Sequence, residues 1–378
     1  MAGDTAARVR QLIAESGLTQ AEFAIKAGLD APKLSKSLSG VRRFTSLDLA
    51  RIADLCDVSV DWLLGVGPLT TSTAARTSTP STAPKTSTSA EAAISEAERL
   101  AQLRADLVFL GYRQDVPRFE IDRAASSPVN QGRILAIRAT AYAAEKGVVL
   151  WRSQDLAGAV EAAFGVDVRV HRLTDGFDGL SWSDGNSSLI VVGTSEVPAR
   201  QRFTIAHELG HLLAGEDQAL HLDVNINDAH HRRRPSEKRA NAFAAEALLP
   251  AELLRDRARD ITWSIEAFAQ LACDLWVSPS ALAWRLFDLQ LIDKSRCDSF
   301  GALTAWDVAR KANAVESLGE WIQQTSRPRT PVPLVRTTFQ AYADGKATLR
   351  PYANLIGVDT DTLRQAISGL GEGPSFES

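Results

Sequence analysis

The chain has 378 residues and a net charge of −4, with 45% hydrophobic and 23% charged residues. These proportions fit a globular protein of two or three domains and exclude collagen-like, coiled-coil and wholly disordered chains. No run of eighteen apolar residues predicts a membrane-spanning helix, and the start MAGDTAARVRQ carries no apolar signal core. Cys56, Cys273 and Cys297 are odd in number and scattered. They suit a reducing cytoplasm rather than a disulfide framework, so the expected location is cytoplasmic. The acidic total confines any DNA contact to a local patch.

Residues 5–66 read as a five-helix module. Leu12, Phe23, Leu34, Leu38, Leu49 and Ile52 supply its core, and Gly17, Gly28, Gly40 and Gly65 punctuate it. Residues 67–93 read as a flexible linker. Thirteen of the twenty-four residues 67–90 are Ser or Thr and only Leu69 is a large apolar residue, so the stretch cannot bury enough surface to offset its ordering entropy. A helical connector follows at 94–150, with Leu100, Leu103, Leu107 and Leu110 on one face and a second helix at 129–146. In 151–255 the pattern predicts a helix at 154–164, opened by Ser153 and closed by Gly165. It then predicts strands at 166–171, 179–183 and 188–193, the last two joined by an Asp184-Gly185-Asn186 turn. Helices at 198–214 and from 236 to Pro250 flank a loop over 216–235. Residues 256–296 read as a helix-turn-helix-like subdomain and 297–378 as a C-terminal helical domain. Within the latter, 325–333 is expected to be a linker, and 334–368 a helical unit punctuated by Gly345 and Gly357. The fold class is α+β, mainly helical, with a small sheet.

The strongest chemical signal is His207-Glu208-Leu209-Gly210-His211. Histidines at i and i+4 share one helix face, so their imidazoles can meet one tetrahedral Zn²⁺. Glu208 lies one step round the helix, placed to take a proton from water rather than to ligate. A third ligand is needed. The metzincin pattern fails, because position 214 is Ala, position 217 is Asp, and the single Met is Met1. The next helix, SEKRANAFAAEALLP, offers Glu237 and Glu246, nine residues apart and so on nearly opposite faces. Glu237 is favoured because Asn241 stands at i+4 on its face, where it can hold a ligating imidazole. Small Ala240, Ala244 and Ala245 allow close helix approach. A donor to the tetrahedral oxyanion is also wanted. No Tyr lies between Tyr142 and Tyr342, which leaves His230, His231 or an Arg of 232–234 as candidates. Strand 188–193 is the expected edge for an extended substrate.

RFTIAHELGHLLAG followed by EKRANAFAAEALLP resembles the ImmA/IrrE family of zinc metallopeptidases over roughly residues 150–292. The resemblance implies a gluzincin-like peptidase domain binding one zinc per chain. His207, His211 and Glu237 would be the ligands and Glu208 the general base. It also implies peptide-bond hydrolysis in a protein substrate, usually a transcriptional repressor.

LTQAEFAIKAGLDAPKLSKSLSG resembles the helix-turn-helix of phage-repressor-like (XRE) regulators, with a likeness over about residues 7–65. Asp30 to Leu38 would be the recognition helix, with Ala31, Lys33, Ser35 and Lys36 outward and Leu34 and Leu38 inward. Gln20 can bond a phosphate from a helix start, and Arg42 and Arg43 suit backbone contacts. Residues 31–51 carry five basic residues against one acidic, whereas residues 1–66 carry eight of each. Weak monomer binding follows, and a homodimer on paired operator half-sites is expected. The leading expectation is therefore an operator-binding regulator fused to a zinc endopeptidase that cleaves a partner regulator, with no membrane partner. The alternatives are a repressor or antitoxin-like protein whose zinc domain senses a ligand or serves structure alone.

Overall fold

The computed structural model describes residues 2–16, 18–42, 44–56, 74–76, 86–121, 127–173, 179–184, 187–215, 234–259 and 261–369. It divides into two compact units, Met1–Thr70 and Thr71–Ser378.

The first unit contains α1 (Ala2–Glu15), α2 (Gln20–Lys26), α3 (Ala31–Leu38) and α4 (Ser46–Cys56). Thr19 opens α2 with a capping box: its hydroxyl accepts from the Glu22 N–H, and the Glu22 carboxylate accepts from the Thr19 N–H. Asp30 caps α3 through the Lys33 N–H. Between them Gly28 takes φ +64°, a conformation a side chain would strain, and its carbonyl is fixed by Arg51 Nη1 at 2.7 Å. Phe23, Ala24, Leu34, Leu38, Leu49 and Ile52 close on Val9 and Leu12 as one core. The expected fifth helix lies outside the described residues.

The second unit starts with a short strand, β1 (Ala74–Arg76), and then α5 (Thr86–Phe109) and α6 (Pro128–Glu145). The linker expected over 67–93 therefore contains strand and helix: α5 reaches back to Thr86. A 3-10 turn at Leu150–Arg152 leads to α7 (Leu156–Phe164), β2 (Asp167–His171), β3 (Gly179–Ser183), β4 (Ser188–Gly193) and α8 (Pro198–Leu213). Helix α7 is capped by Asp155, not Ser153: the Asp155 carboxylate accepts from the Gly158 N–H, whereas the Ser153 hydroxyl bonds back to the Val149 carbonyl. Gly165 ends α7 at φ +67° as expected.

The sheet order is β1-β3-β4-β2, with β3 antiparallel to β4 and to β1, and β2 parallel to β4. Strand 188–193 is thus interior and cannot be the edge onto which a substrate adds. Side chains alternate between two buried faces. Val168, Val170, Ile190 and Val192 pack with α6, α7 and α8. Leu180, Trp182, Leu189 and Val191 pack with α5 on the other face. Arg104 of α5 forms a buried two-pronged ion pair with Asp167 of β2 at 2.6–2.9 Å. Gln114 clamps the starts of β2 and β4, accepting from the Ser188 N–H and donating to the Gly165 and Ser188 carbonyls.

Beyond α8 come α9 (Pro235–Leu248), α10 (Ala251–Arg259), α11 (Ile265–Asp274), α12 (Pro279–Asp288), α13 (Lys294–Gly301), α14 (Ala305–Lys311), α15 (Val315–Thr325), α16 (Val332–Ala343), α17 (Arg350–Ile356) and α18 (Thr360–Gly369). A single core joins Leu254, Phe268, Leu286, Cys297, Phe300 and Val308, so the boundary expected at 296/297 runs through one packed body. Leu334, Ala341 and Leu355 pack instead on the α5 face of the sheet. The expected linker at 325–333 is pinned: Arg329 pairs its backbone with Val170 and its guanidinium with Glu161.

Arg202 on α8 is 2% exposed. It donates to five carbonyls: Leu150, Trp151 and Ser153 on one side, Leu275 and Trp276 on the other. Burial pushes its pKa down to about 9. Nothing in the local sequence marks it for this role.

Candidate metal centre

Helix α8 is buried along almost its whole length, with His207 and Glu208 each 1% exposed and His211 3% exposed. Gly210 lets α9 lie against it, since a Cβ there would meet the Phe243 ring at 3.0 Å. The two helices bring three donors together. His207 Nε2 is 3.4 Å from Glu237 Oε2, His211 Nε2 is 3.3 Å from Glu237 Oε1, and the two Nε2 atoms are 3.0 Å apart. One ligand atom from each of the three lies within 4.8 Å of the others. His207 Nδ1 sits 3.1 Å from Asn241 Oδ1, which fixes the ring with Nε2 turned to the shared point. Burial works to raise the Glu237 pKa. Hydrogen bonds from His207 and His211 and their charge outweigh it and hold the carboxyl well below its ordinary value. An acid kept ionised beside two imidazoles is a donor set that suits zinc.

Glu246, the competing acid, points elsewhere. Its carboxylate pairs with Arg285 and accepts from the Ala251 N–H at 2.9 Å. Glu208 follows His207 in sequence, and its Oε2 accepts from Ser181 Oγ of β3 at 2.8 Å. Gly179 supplies the space: a Cβ there would stand 2.6 Å from Thr204 Cγ2 and 3.3 Å from Glu208 Cγ. The sequence reading missed Ser181. The one local trace was a polar residue, Ser181, between Leu180 and Trp182 in a strand ahead of the His-Glu helix.

The position of Glu237 depends on α6. A Cβ on Gly132 would fall 2.2 Å from the Arg239 carbonyl oxygen and 3.0 Å from Ala242 Cβ, so backbone must move. Gly132→Ala is expected to lower stability by about 1–3 kcal/mol in a denaturant titration. It should also weaken metal uptake in a competition titration, because the shift carries the Glu237 helix with it.

In the first unit Gln20, Lys33, Ser35 and Lys36 are exposed and Ala31 is half-buried, while Leu34 and Leu38 are buried. Arg42 is turned inward to Asp48 at 2.9 Å and Ser37 Oγ at 3.1 Å. Arg43, His230 and His231 lie outside the described residues, as does His221. No helix of the described residues is long and apolar enough to cross a membrane.

Residues 161–287 match the IrrE N-terminal-like domain family of peptidases, and residues 5–63 match a helix-turn-helix domain family. The chain is 34% identical over 151 residues to the radiation response metalloprotease IrrE of Deinococcus radiodurans, covering 36% of this chain and 44% of that protein. It is 32% identical over 163 residues to the IrrE of Deinococcus deserti, covering 39% and 55%. The chain thus spans about half the length of the curated relatives it matches. No solved structure matches. The IrrE-like match takes in β2, β3, β4, α8 and α9 and so the whole donor cluster. The helix-turn-helix match covers α2, α3 and α4, including the exposed Lys33 and Lys36 of α3.

Proposed function

We propose that the chain is a DNA-binding regulator whose IrrE-like domain is a zinc-dependent endopeptidase acting on a partner regulator. The observation that carries this is the convergence of His207, His211 and Glu237 on one point, with Glu208 one residue on from His207 and its carboxylate held by Ser181. His207, His211 and Glu237 would hold the metal, and Asn241 orients His207. Zinc, when bound, supplies Lewis acidity toward the scissile carbonyl and makes water acidic enough to attack near neutral pH. Glu208 takes the proton of the attacking water and passes it to the leaving amine. Its Ser181 hydrogen bond fixes the carboxylate for that transfer. The peptide strand would lie along the sheet beside α8, and the helix-turn-helix brings the peptidase to regulators held on the same DNA, raising their local concentration.

Metal analysis of protein purified without chelator, followed by incubation with repressors encoded by neighbouring genes, tests the reading. One zinc per chain and chelator-sensitive cleavage support it; a metal-free, inert chain sinks it. For the DNA-binding unit, Lys33→Ala and Lys36→Ala should each weaken binding with little change in sequence preference. Each should flatten the slope of log affinity against log salt by about 1, read by fluorescence anisotropy on operator fragments.

A further inference from the structure

The sheet edge nearest the metal centre is already taken, and by the chain's own tether. Without β1, β3 would be the outer strand of the sheet, paired on one side only, with β4. Residues 74–76 fill the other side in antiparallel register: Ala74 opposite Ser181, Ala75 opposite Leu180 and Arg76 opposite Gly179. Directly opposed residues in such a pair have Cα atoms about 5 Å apart. Ser181 is the residue whose hydroxyl holds Glu208 at 2.8 Å, and Gly179 is the residue whose missing Cβ leaves room for the Glu208 side chain. The tether backbone is thus paired with the strand whose Ser181 holds the group that moves the proton. Main-chain pairing of this kind asks little of sequence. The segment belongs to the same compact unit as the peptidase, and Met1–Thr70 forms the other. Covalent attachment gives it an effective concentration on the order of millimolar, which a separate substrate must beat.

The geometry points to the tether as the peptidase's own substrate: hydrolysis at or beside Ala74–Arg76, within one chain, parts the helix-turn-helix unit from the peptidase unit. This rests on the peptidase reading above. Water adds to the carbonyl carbon and the C–N bond breaks. The water oxygen stays in the new carboxyl terminus, and the proton reaches the leaving amine through Glu208. No other reactant is consumed.

The full chain, expressed under zinc limitation and then given one equivalent of zinc, is followed by intact mass spectrometry. Two fragments are expected, with new termini at or next to residues 74–76. Their half-time should stay constant over a tenfold range of protein concentration, and Glu208→Gln should remain whole. Ala75→Pro, whose ring fixes φ away from the extended strand value, should cut at least about tenfold more slowly. A readout without chemistry is hydrogen exchange in the Glu208→Gln chain: residues 179–183 should exchange more slowly than in the Glu208→Gln, Ala75→Pro double variant. Equal exchange overturns the pairing. A zinc-loaded chain that digests casein but leaves its tether whole overturns the inference and leaves the peptidase reading standing. If Ala75→Pro then raises casein digestion, the segment is a block rather than a substrate, and the inference falls in the same way. A chain that cuts neither overturns both.

Discussion

Chains carrying Glu208→Gln are expected to bind one equivalent of zinc and to hydrolyse peptide bonds about 10²–10⁴-fold more slowly than the parent. The amide keeps the shape of the carboxylate and can still meet Ser181 Oγ, so α8 and its two imidazoles should stay in place. What disappears is a basic oxygen able to accept the water proton. The loss should therefore fall on kcat rather than on KM. Metal content by mass spectrometry of the folded protein and single-turnover cleavage measure the two halves. A variant that loses zinc along with activity would mean that Glu208 ligates. A variant that stays active would remove the proton-transfer role altogether.

The largest expected loss of stability is in Arg104→Met. Arg104 and Asp167 are 4% and 3% exposed and pair through three short contacts. Removing the guanidinium leaves a carboxylate between α5 and β2 with the 3.3 Å contact from Gln114 and a backbone hydrogen bond from Leu334. Breaking such a buried pair costs about 3–5 kcal/mol, while replacing both partners by apolar groups is often neutral. Arg104→Met with Asp167→Leu should accordingly recover most of the loss. Burial already pushes Asp167 up, to about 6, against the pull of Arg104. In the single variant that pull is gone. A carboxyl whose folded pKa lies above its unfolded value takes up its proton first in the folded chain, so stability rises as pH falls through that window. The denaturation midpoint of Arg104→Met should thus climb between pH 7 and about pH 5. A flat profile would show that water reaches the carboxylate.

The donor cluster was legible because its spacing is local: four residues on α8 place two imidazoles on one face, and Asn241 at i+4 from Glu237 picks out the acid. Glu246 was a fair rival on spacing alone, and only Arg285, thirty-nine residues away, explains why it turns aside. The hairpin of β3 and β4 could be read from its turn and alternating pattern. The parallel pairing of β2 with β4 could not, since sheet order depends on contacts that no short window contains, and so an interior strand was taken for an edge. Ser153 and Asp155 are both good helix starters. The outcome turned on the Ser153 carbonyl being needed by Arg202 and its hydroxyl by Val149. The expected boundary at 296/297 followed the helix-turn-helix-like pattern of the residues before it, whereas Cys297 and Phe300 pack into one core with Leu249 and Leu254.

Arg202 bears on how this protein can be dissected. The helix that carries both imidazoles is tied by that one guanidinium to carbonyls at 150–153 and again at 275–276, and by Gln201 to the carbonyl of Thr325. A fragment trimmed to residues 161–287 would leave a buried cation with two of its five acceptors and the first turn of the helix untethered. Subcloning should therefore keep everything from the connector to beyond Thr325, and the C-terminal helices are best regarded as the far wall of the same building rather than an annexe.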